Sequence, residues 1–371
     1  MATAAEVLAA EALHQAAQAR LGFAAAFLAL AEWDAVNATK ADESSGQFLL
    51  FSLKAIVAIR KMSRRLAVTH YQLIRALETG RMLGVPEGSP QRAVTLDTLR
   101  ANFRDAAIDV AALPSPRTRS DDPDIRWFEE TLASIPPERV PSAISLDDLE
   151  VDPLIQDYLD AEDPTDAAKI IPVDKYDWPV DLDLDEVEDA YRELLRKQAV
   201  ATVSTKVKDL RSSVDLSPDE VIGQIEEVHA SAGSIGSGIV DALGVSAGRD
   251  AIIEAVKSDR LVLAVARGTG PDPCAFCSML ASRGFVYKSE ATAGFGGGEE
   301  IVKYHIHCHC YPIFRYLKES ELPPLNRYFQ EKWPEVTAGY GGNEARKAWR
   351  RWIYAQRKAN PGAPHGVQVT S

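Results

Sequence analysis

At 371 residues the chain has room for about two or three domains. Hydrophobic residues make up 46%, which supplies a sizeable core and excludes wholesale disorder. The formal net charge of −13 excludes a protein whose whole surface binds nucleic acid, while leaving space for a local basic patch.

The N-terminus has no basic stretch ahead of an apolar core, so no secretory signal is expected. The most apolar runs, 21–31 and 48–59, fall short of the ~20 residues a membrane span needs, and a soluble protein is expected. Residues 1–112 read as a helical domain. Leu53, Ile56 and Val57 share one helical face, and Leu66, His70, Leu73 and Leu77 continue at helical intervals to a stop at Gly80 or Gly84. His70 on this stripe is expected to be a hydrogen-bonded packing residue. The basic run 61–65 is expected to be a solvated face.

Residues 113–185 form a connector. Ten prolines there forbid long helices, and 146–190 carries 17 Asp/Glu against two Lys. Such a block reads either as a solvated spacer or as an acidic arm for a basic partner surface. Trp127, Phe128, Tyr158, Tyr176 and Trp178 interrupt the polarity and are expected to anchor it. Residues 186–267 read as a second helical domain. Ser217-Pro218-Asp219-Glu220 predicts a helix start with a capping box. Gly233, Gly236, Gly238 and Gly244 are expected to break the following stretch, with a further helix from about Ser246 to Arg267.

Residues 268–322 hold all four cysteines: Cys274-Ala275-Phe276-Cys277 and, after 26 residues, Tyr304-His305-Ile306-His307-Cys308-His309-Cys310. Zinc takes four soft or borderline ligands in a tetrahedron, and a C-x2-C turn supplies two thiolates from one tight loop. A cluster beside histidines, in a chain with no secretory signal, points to metal rather than disulfides. His305 and Cys308 repeat the spacing of the first pair, so the predicted ligands are Cys274, Cys277, His305 and Cys308. Cys310 is the first reserve and His307 the second. The glycines between 284 and 298 suit a looped knuckle, with short strands expected at 285–287 and 311–314. A set of four protein ligands is closed and implies structural zinc. The basic tail, 323–371, contains Arg346, Lys347, Arg350, Arg351, Arg357 and Lys358 among Trp349, Trp352 and Tyr354. The tryptophans are expected to pack on the Cys/His module, and the cations are candidates for DNA phosphates. The predicted fold is therefore mainly α: two helical regions joined by an acidic Pro-rich connector, then a small C-terminal α+β Cys/His module of zinc-knuckle type.

The segments Arg267…Pro273-Cys274-Ala275-Phe276-Cys277-Ser278-Met279-Leu280-Ala281-Ser282-Arg283-Gly284, Tyr304-His305-x-His307-Cys308-x-Cys310 and Pro312-Ile313-Phe314 resemble the MuF-like minor capsid proteins of tailed phages. They are most similar to the variant common in phages of actinobacteria. Residues 64–75 and Gly248-Arg249-Asp250…Asp259-Arg260 are similar to the same variant, and the resemblance covers about half the chain. It implies a head-morphogenesis protein present in few copies in the virion. Such a protein associates with the portal or inner capsid, is made in the host cytoplasm and in some cases leaves the head with the DNA. The family's H-x-x-C pattern falls on His305 and Cys308. In relatives the same region is fused to a capsid maturation protease or to a toxin domain.

An enzyme is the competing class. Neither a G-x-S-x-G elbow nor an H-E-x-x-H motif is present, and no G-K-[ST] follows the glycines at 294–298. Ser278 and Ser282 are the nearest hydroxyls to the histidines, and Glu299 and Glu300 the nearest acids. A zinc-dependent hydrolase, a nuclease using His305, His307 or His309, is the best such alternative; it needs an open metal position.

Overall fold

The computed structural model describes residues 4–84, 94–111, 113, 120–135, 155, 166, 168–179, 184–213, 216–269, 273–285, 308–318 and 320–359, and the chain is mainly helical. Helix α1 (Ala4–Trp33) is apolar on nearly every side, and such a helix must be enclosed. Helix α2 (Gly46–Thr79) packs along it, burying Leu53, Ile56, Leu66, Leu73 and Leu77. It ends at Gly80, where φ is 71° and the amide closes back onto the Ala76 carbonyl at 2.9 Å, the left-handed cap that favours glycine. Helix α3 (Leu96–Ala111) lies against α1 and α2. No single helix among the described residues is long and apolar enough to cross a membrane.

The connector is sewn onto this bundle. Helix α4 (Pro123–Ala133), capped by Asp122, packs on α2 and buries Phe128. Strand β1 (Met82–Leu83) pairs in parallel with β2 (Val173–Asp174), and the Trp178 indole N–H reaches the Leu83 carbonyl at 3.2 Å. Trp127 and Tyr176 also pack against the core, while Tyr158 lies outside the described residues. The basic run 61–65 is not simply solvated. Lys61 bridges Asp122 and Asp124 at 2.8 and 2.6 Å, and Arg64 donates to the Pro179 carbonyl. Within the acidic block, Asp174 meets Arg75 at 2.6 Å and Asp166 meets Arg100 at 2.9 Å. These acids are used inside the chain.

Helix α5 (Leu184–Leu195) runs through a π-helical turn, Arg196–Val200, into α6 (Ala201–Ser212). Helix α7 (Pro218–Ser258) opens with the predicted capping box: Glu220 accepts from the Ser217 amide at 2.8 Å, and the Ser217 hydroxyl accepts from the Glu220 amide. The expected break does not occur. One helix of 41 residues passes through every glycine of the stretch and stops at Ser258, before the strand that occupies 264–268. The reason is close packing. A Cβ at Gly233, Gly236, Gly244 or Gly248 would come within 2.4 to 2.9 Å of Trp33, Phe48, Ile59 or Ser63, so α7 can lie on α1 and α2 only where these side chains are missing. Both helical regions contribute to one core.

Strand β3 (Ala264–Gly268) pairs antiparallel with β4 (Tyr311–Arg315). Residue 285, expected in a strand beside 311–314, is a bend, and Val286 and Tyr287 lie outside the described residues. Helices α8 (Ala275–Ala281), α9 (Pro324–Val336) and α10 (Gly342–Ala359) enclose Met279, Leu280, Phe329, Trp349 and Ile353. Buried polar contacts tie this module to the bundle. Arg315 meets Glu11 at 2.6 Å, and Glu78 accepts from the Tyr316 amide at 2.7 Å. Asp259 receives Arg75, Tyr316 and Tyr71 at 2.6, 2.9 and 3.2 Å. Pairing makes such burial tolerable; losing one partner would strand a charge in the core.

His70 is a packing residue, but not a hydrogen-bonded one. Its ring stacks on His14 with centroids 4.2 Å apart, and neither of its nitrogens finds a partner among the described residues. Burial drives both rings to the neutral form, pushing His14 down to about 3 and His70 well below the usual histidine range.

Candidate metal centre

The register of the β3–β4 pair builds the site. Gly268 lies opposite Tyr311, so the segment leaving β3 and the segment entering β4 meet at the same end of the hairpin. A Cβ on Gly268 would fall 2.4 Å from the Tyr311 ring, and the small residue permits this approach. The first segment reaches Cys274, the N-cap of α8, whose first turn carries Cys277. The second is Cys308–Cys310. Two cysteine pairs more than thirty residues apart in sequence thereby face each other.

The sulfurs of Cys277, Cys308 and Cys310 lie within 4.8 Å of one another, all buried, and Cys277 Sγ is 3.7 Å from Cys308 Sγ. Cys274 is half-buried and packs against the three. Its sulfur accepts the Cys277 amide at 3.3 Å. Three of these cysteines were predicted ligands; the fourth, Cys310, was the first reserve. His305 and His307 lie outside the described residues, as do Glu299, Glu300 and the glycines at 294–298. The three buried thiols are close enough to hold a metal, and a set of sulfur donors is compatible with zinc.

Their electrostatics have the same cause as their proximity. Hydrogen bonds from the Cys277 and Cys310 thiols hold Cys308 far below the usual thiol range. Cys277 is driven far up, first by its contact with Cys274 and then by Cys308 and Cys310. For Cys310 the Cys277 thiol pulls downward, but Cys308 and burial outweigh it and leave the group raised. Thiols this close share protons because they cannot all ionise without a cation between them.

Two arginines, not among the predicted site residues, complete the surroundings. Arg267, wholly buried on β3, donates to Cys277 Sγ at 3.4 Å, and Arg249 of α7 donates to the Cys308 carbonyl. The signal for Arg267 was present in the sequence as an arginine directly after the apolar run 262–266. His309 turns to the bundle: its Nε2 lies 3.1 Å from Asp241 Oδ2, and its ring meets Phe23 edge-on at 4.6 Å. Ser278 is wholly buried; its hydroxyl donates to the Cys274 carbonyl at 3.0 Å and accepts the Trp349 indole N–H at 3.0 Å. Ser282 is buried and donates to Met279. Both hydroxyls are structural. A cavity of about 10 Å³, room for about one water, borders the centre among the described residues and is lined by His14, Gln18, Arg249, His309 and Cys310.

Helix α10 turns its indoles inward, with Trp349 buried, and leaves Arg346, Lys347, Arg350, Arg351 and Lys358 exposed. Lys347 pairs with Glu344 at 2.8 Å. Arg357 is half-buried and donates to the Pro273 carbonyl at 3.0 Å, so this cation braces the cysteine turn.

Among known families, the model of the VG15 protein family matches residues 185–335, less than half of the chain but a stretch running from α5 to α9 and containing all four cysteines. This viral-gene match points to a phage-associated protein. Searches of the curated proteins and of the solved structures return no match.

Proposed function

We propose that the chain is a minor capsid protein of the MuF-like type, acting in phage head morphogenesis at the portal or inner capsid wall. The carrying observation is the VG15 match over 185–335, whose span takes in the cysteine cluster and the helices that position it. The cysteine and histidine motifs of the sequence support the finer reading. In this reading zinc is structural: it fixes the module of α8, α9 and α10 against the bundle, and the protein does no chemistry there. The exposed cations of α10 are the surface offered to packaged DNA, and the partner proteins are portal or capsid subunits. The protein is made in the host cytoplasm and carried in the virion.

The test is quantitative mass spectrometry of purified procapsids and virions, with co-purification on the portal protein. A few copies per particle, retained with the portal after capsid disruption, are expected. Absence from both particles would overturn the proposal.

A further inference from the structure

We infer that the centre is a closed four-thiolate zinc site made by Cys274, Cys277, Cys308 and Cys310, with Arg267 and Arg249 beside it and no histidine among its ligands. This rests on the reading of the cluster as a zinc site and specifies its chemistry.

The geometry is the first argument. A tetrahedron with Zn–S bonds of about 2.3 Å places its sulfurs about 3.8 Å apart. Cys277 and Cys308 are 3.7 Å apart, and Cys310 stands within 4.8 Å of both. Cys308 and Cys310 lead directly into β4, and in extended backbone residues two apart project to the same side. That alternation sends both sulfurs to the cluster and the intervening His309 to Asp241 and Phe23. Choosing His305 instead would leave the fully buried Cys310 thiol crowded against a metal without binding it.

The fourth position falls to Cys274. It packs on the other three, and its sulfur already accepts the Cys277 amide, as a ligating thiolate in a C-x2-C turn would.

Charge is the independent argument. Four thiolates around Zn²⁺ leave a net charge of −2, which is costly to bury unless compensated. Two buried arginines touch the site on different elements: Arg267 on the Cys277 sulfur and Arg249 on the Cys308 carbonyl. Both place positive charge beside the thiolates, which lowers that cost. Arg249 also explains how the centre is joined to the bundle, since it reaches the ligand loop from α7.

The experiment uses the full-length protein. Zinc-edge X-ray absorption counts sulfur and nitrogen donors, and cobalt(II) substitution gives a sulfur-to-metal charge-transfer band whose intensity follows the number of thiolates. Four sulfurs and no nitrogen are expected. His305→Ala and His307→Ala should each retain one zinc per chain and an unchanged cobalt spectrum, while Cys310→Ser should lose about a quarter of the band. The wild-type absorption measurement decides the matter even if Cys310→Ser fails to fold. Three sulfurs and one nitrogen, with a cobalt spectrum altered by His305→Ala, would overturn this ligand set while leaving a zinc protein. A full-length protein that folds and binds no zinc would overturn the zinc reading itself.

Discussion

Replacing Gly248 by alanine tests why α7 stays unbroken. On propensity alone a glycine-to-alanine change inside a helix gains about 1 kcal/mol. At Gly248 the new Cβ would stand 2.5 Å from Ser63 Oγ, 2.7 Å from Gln18 Nε2 and 2.7 Å from the Ser63 carbonyl oxygen. The last atom is backbone of α2 and cannot swing aside. Ser63 Oγ also donates to Gln18 at 2.7 Å and accepts the Gly248 amide at 3.2 Å, so moving it breaks buried hydrogen bonds. Overpacking typically costs about 1–3 kcal/mol, and each buried hydrogen bond lost adds about 1 kcal/mol. The clash wins, and Gly248→Ala should destabilise the fold by about 1–3 kcal/mol net. Gly223 is the internal control: it lies on the same helix, is exposed, and has nothing within 4 Å of the Cβ position. Gly223→Ala should stabilise by up to about 1 kcal/mol. Urea unfolding followed by helical circular dichroism at fixed zinc reads both as midpoint shifts of opposite sign with an unchanged slope. A Gly248→Ala midpoint at or above wild type would refute the close-packing account of these glycines.

Three further outcomes are expected. His14 and His70 are neutral in the fold but protonate below about pH 6.5 when unfolded, so stability is full above that pH and falls as the solution is acidified, by up to about 1.4 kcal/mol per pH unit per ring. His70→Leu should flatten the profile of unfolding midpoint between pH 6.5 and 4.5, and an unchanged slope would show that the ring is not the cause. Chelating zinc should expose Trp349, which packs on Ser278 beside the centre, and shift tryptophan emission to the red while most of the bundle's helical signal persists; unchanged emission in fully zinc-free, reduced protein would count against a structural role. If α10 meets DNA, full-length protein should bind duplex DNA at low salt, and Arg346→Gln/Arg350→Gln/Arg351→Gln should lower the slope of log affinity against log salt by up to about 3, near 0.9 per phosphate contact. A triple variant with the parent slope would leave α10 a packing helix.

Where the signal is local, the sequence carries the fold well. The 3.6-residue spacing of Leu53, Ile56, Leu66, Leu73 and Leu77, the Ser217–Glu220 box and the stop at Gly80 all depend on neighbours within one helix, and each is found where those neighbours place it. The continuity of α7 was not legible for the opposite reason. Its glycines look like breaks when judged by propensity, while their role is set by Trp33, Phe48, Ile59 and Ser63, residues about 185–200 positions away. The connector shows the same limit. Its aromatics announced an anchor, but the partners that hold it, Lys61, Arg64, Arg75 and Arg100, lie in α2 and α3, and the run 61–65 reads in sequence as a solvated face.

The centre was partly legible: the C-x2-C turn is read from its own spacing, while the joining of Cys310 to the cluster follows from strand geometry. Matching the spacing of His305 and Cys308 to that of Cys274 and Cys277 treats both halves as helical or turn-like, where residues three apart converge. The first half is of that kind, with Cys274 capping α8. Cys308 and Cys310 lead into a strand, where the convergent spacing is two, and they stand two apart. That β4 pairs with β3, in a register that sets Tyr311 opposite Gly268, is a non-local fact. The arginine on β3 follows from it. Arg267 sits between the buried Ala266 and Gly268 with no polar neighbour in sequence, and the pairing brings the Cys277 sulfur to its guanidinium.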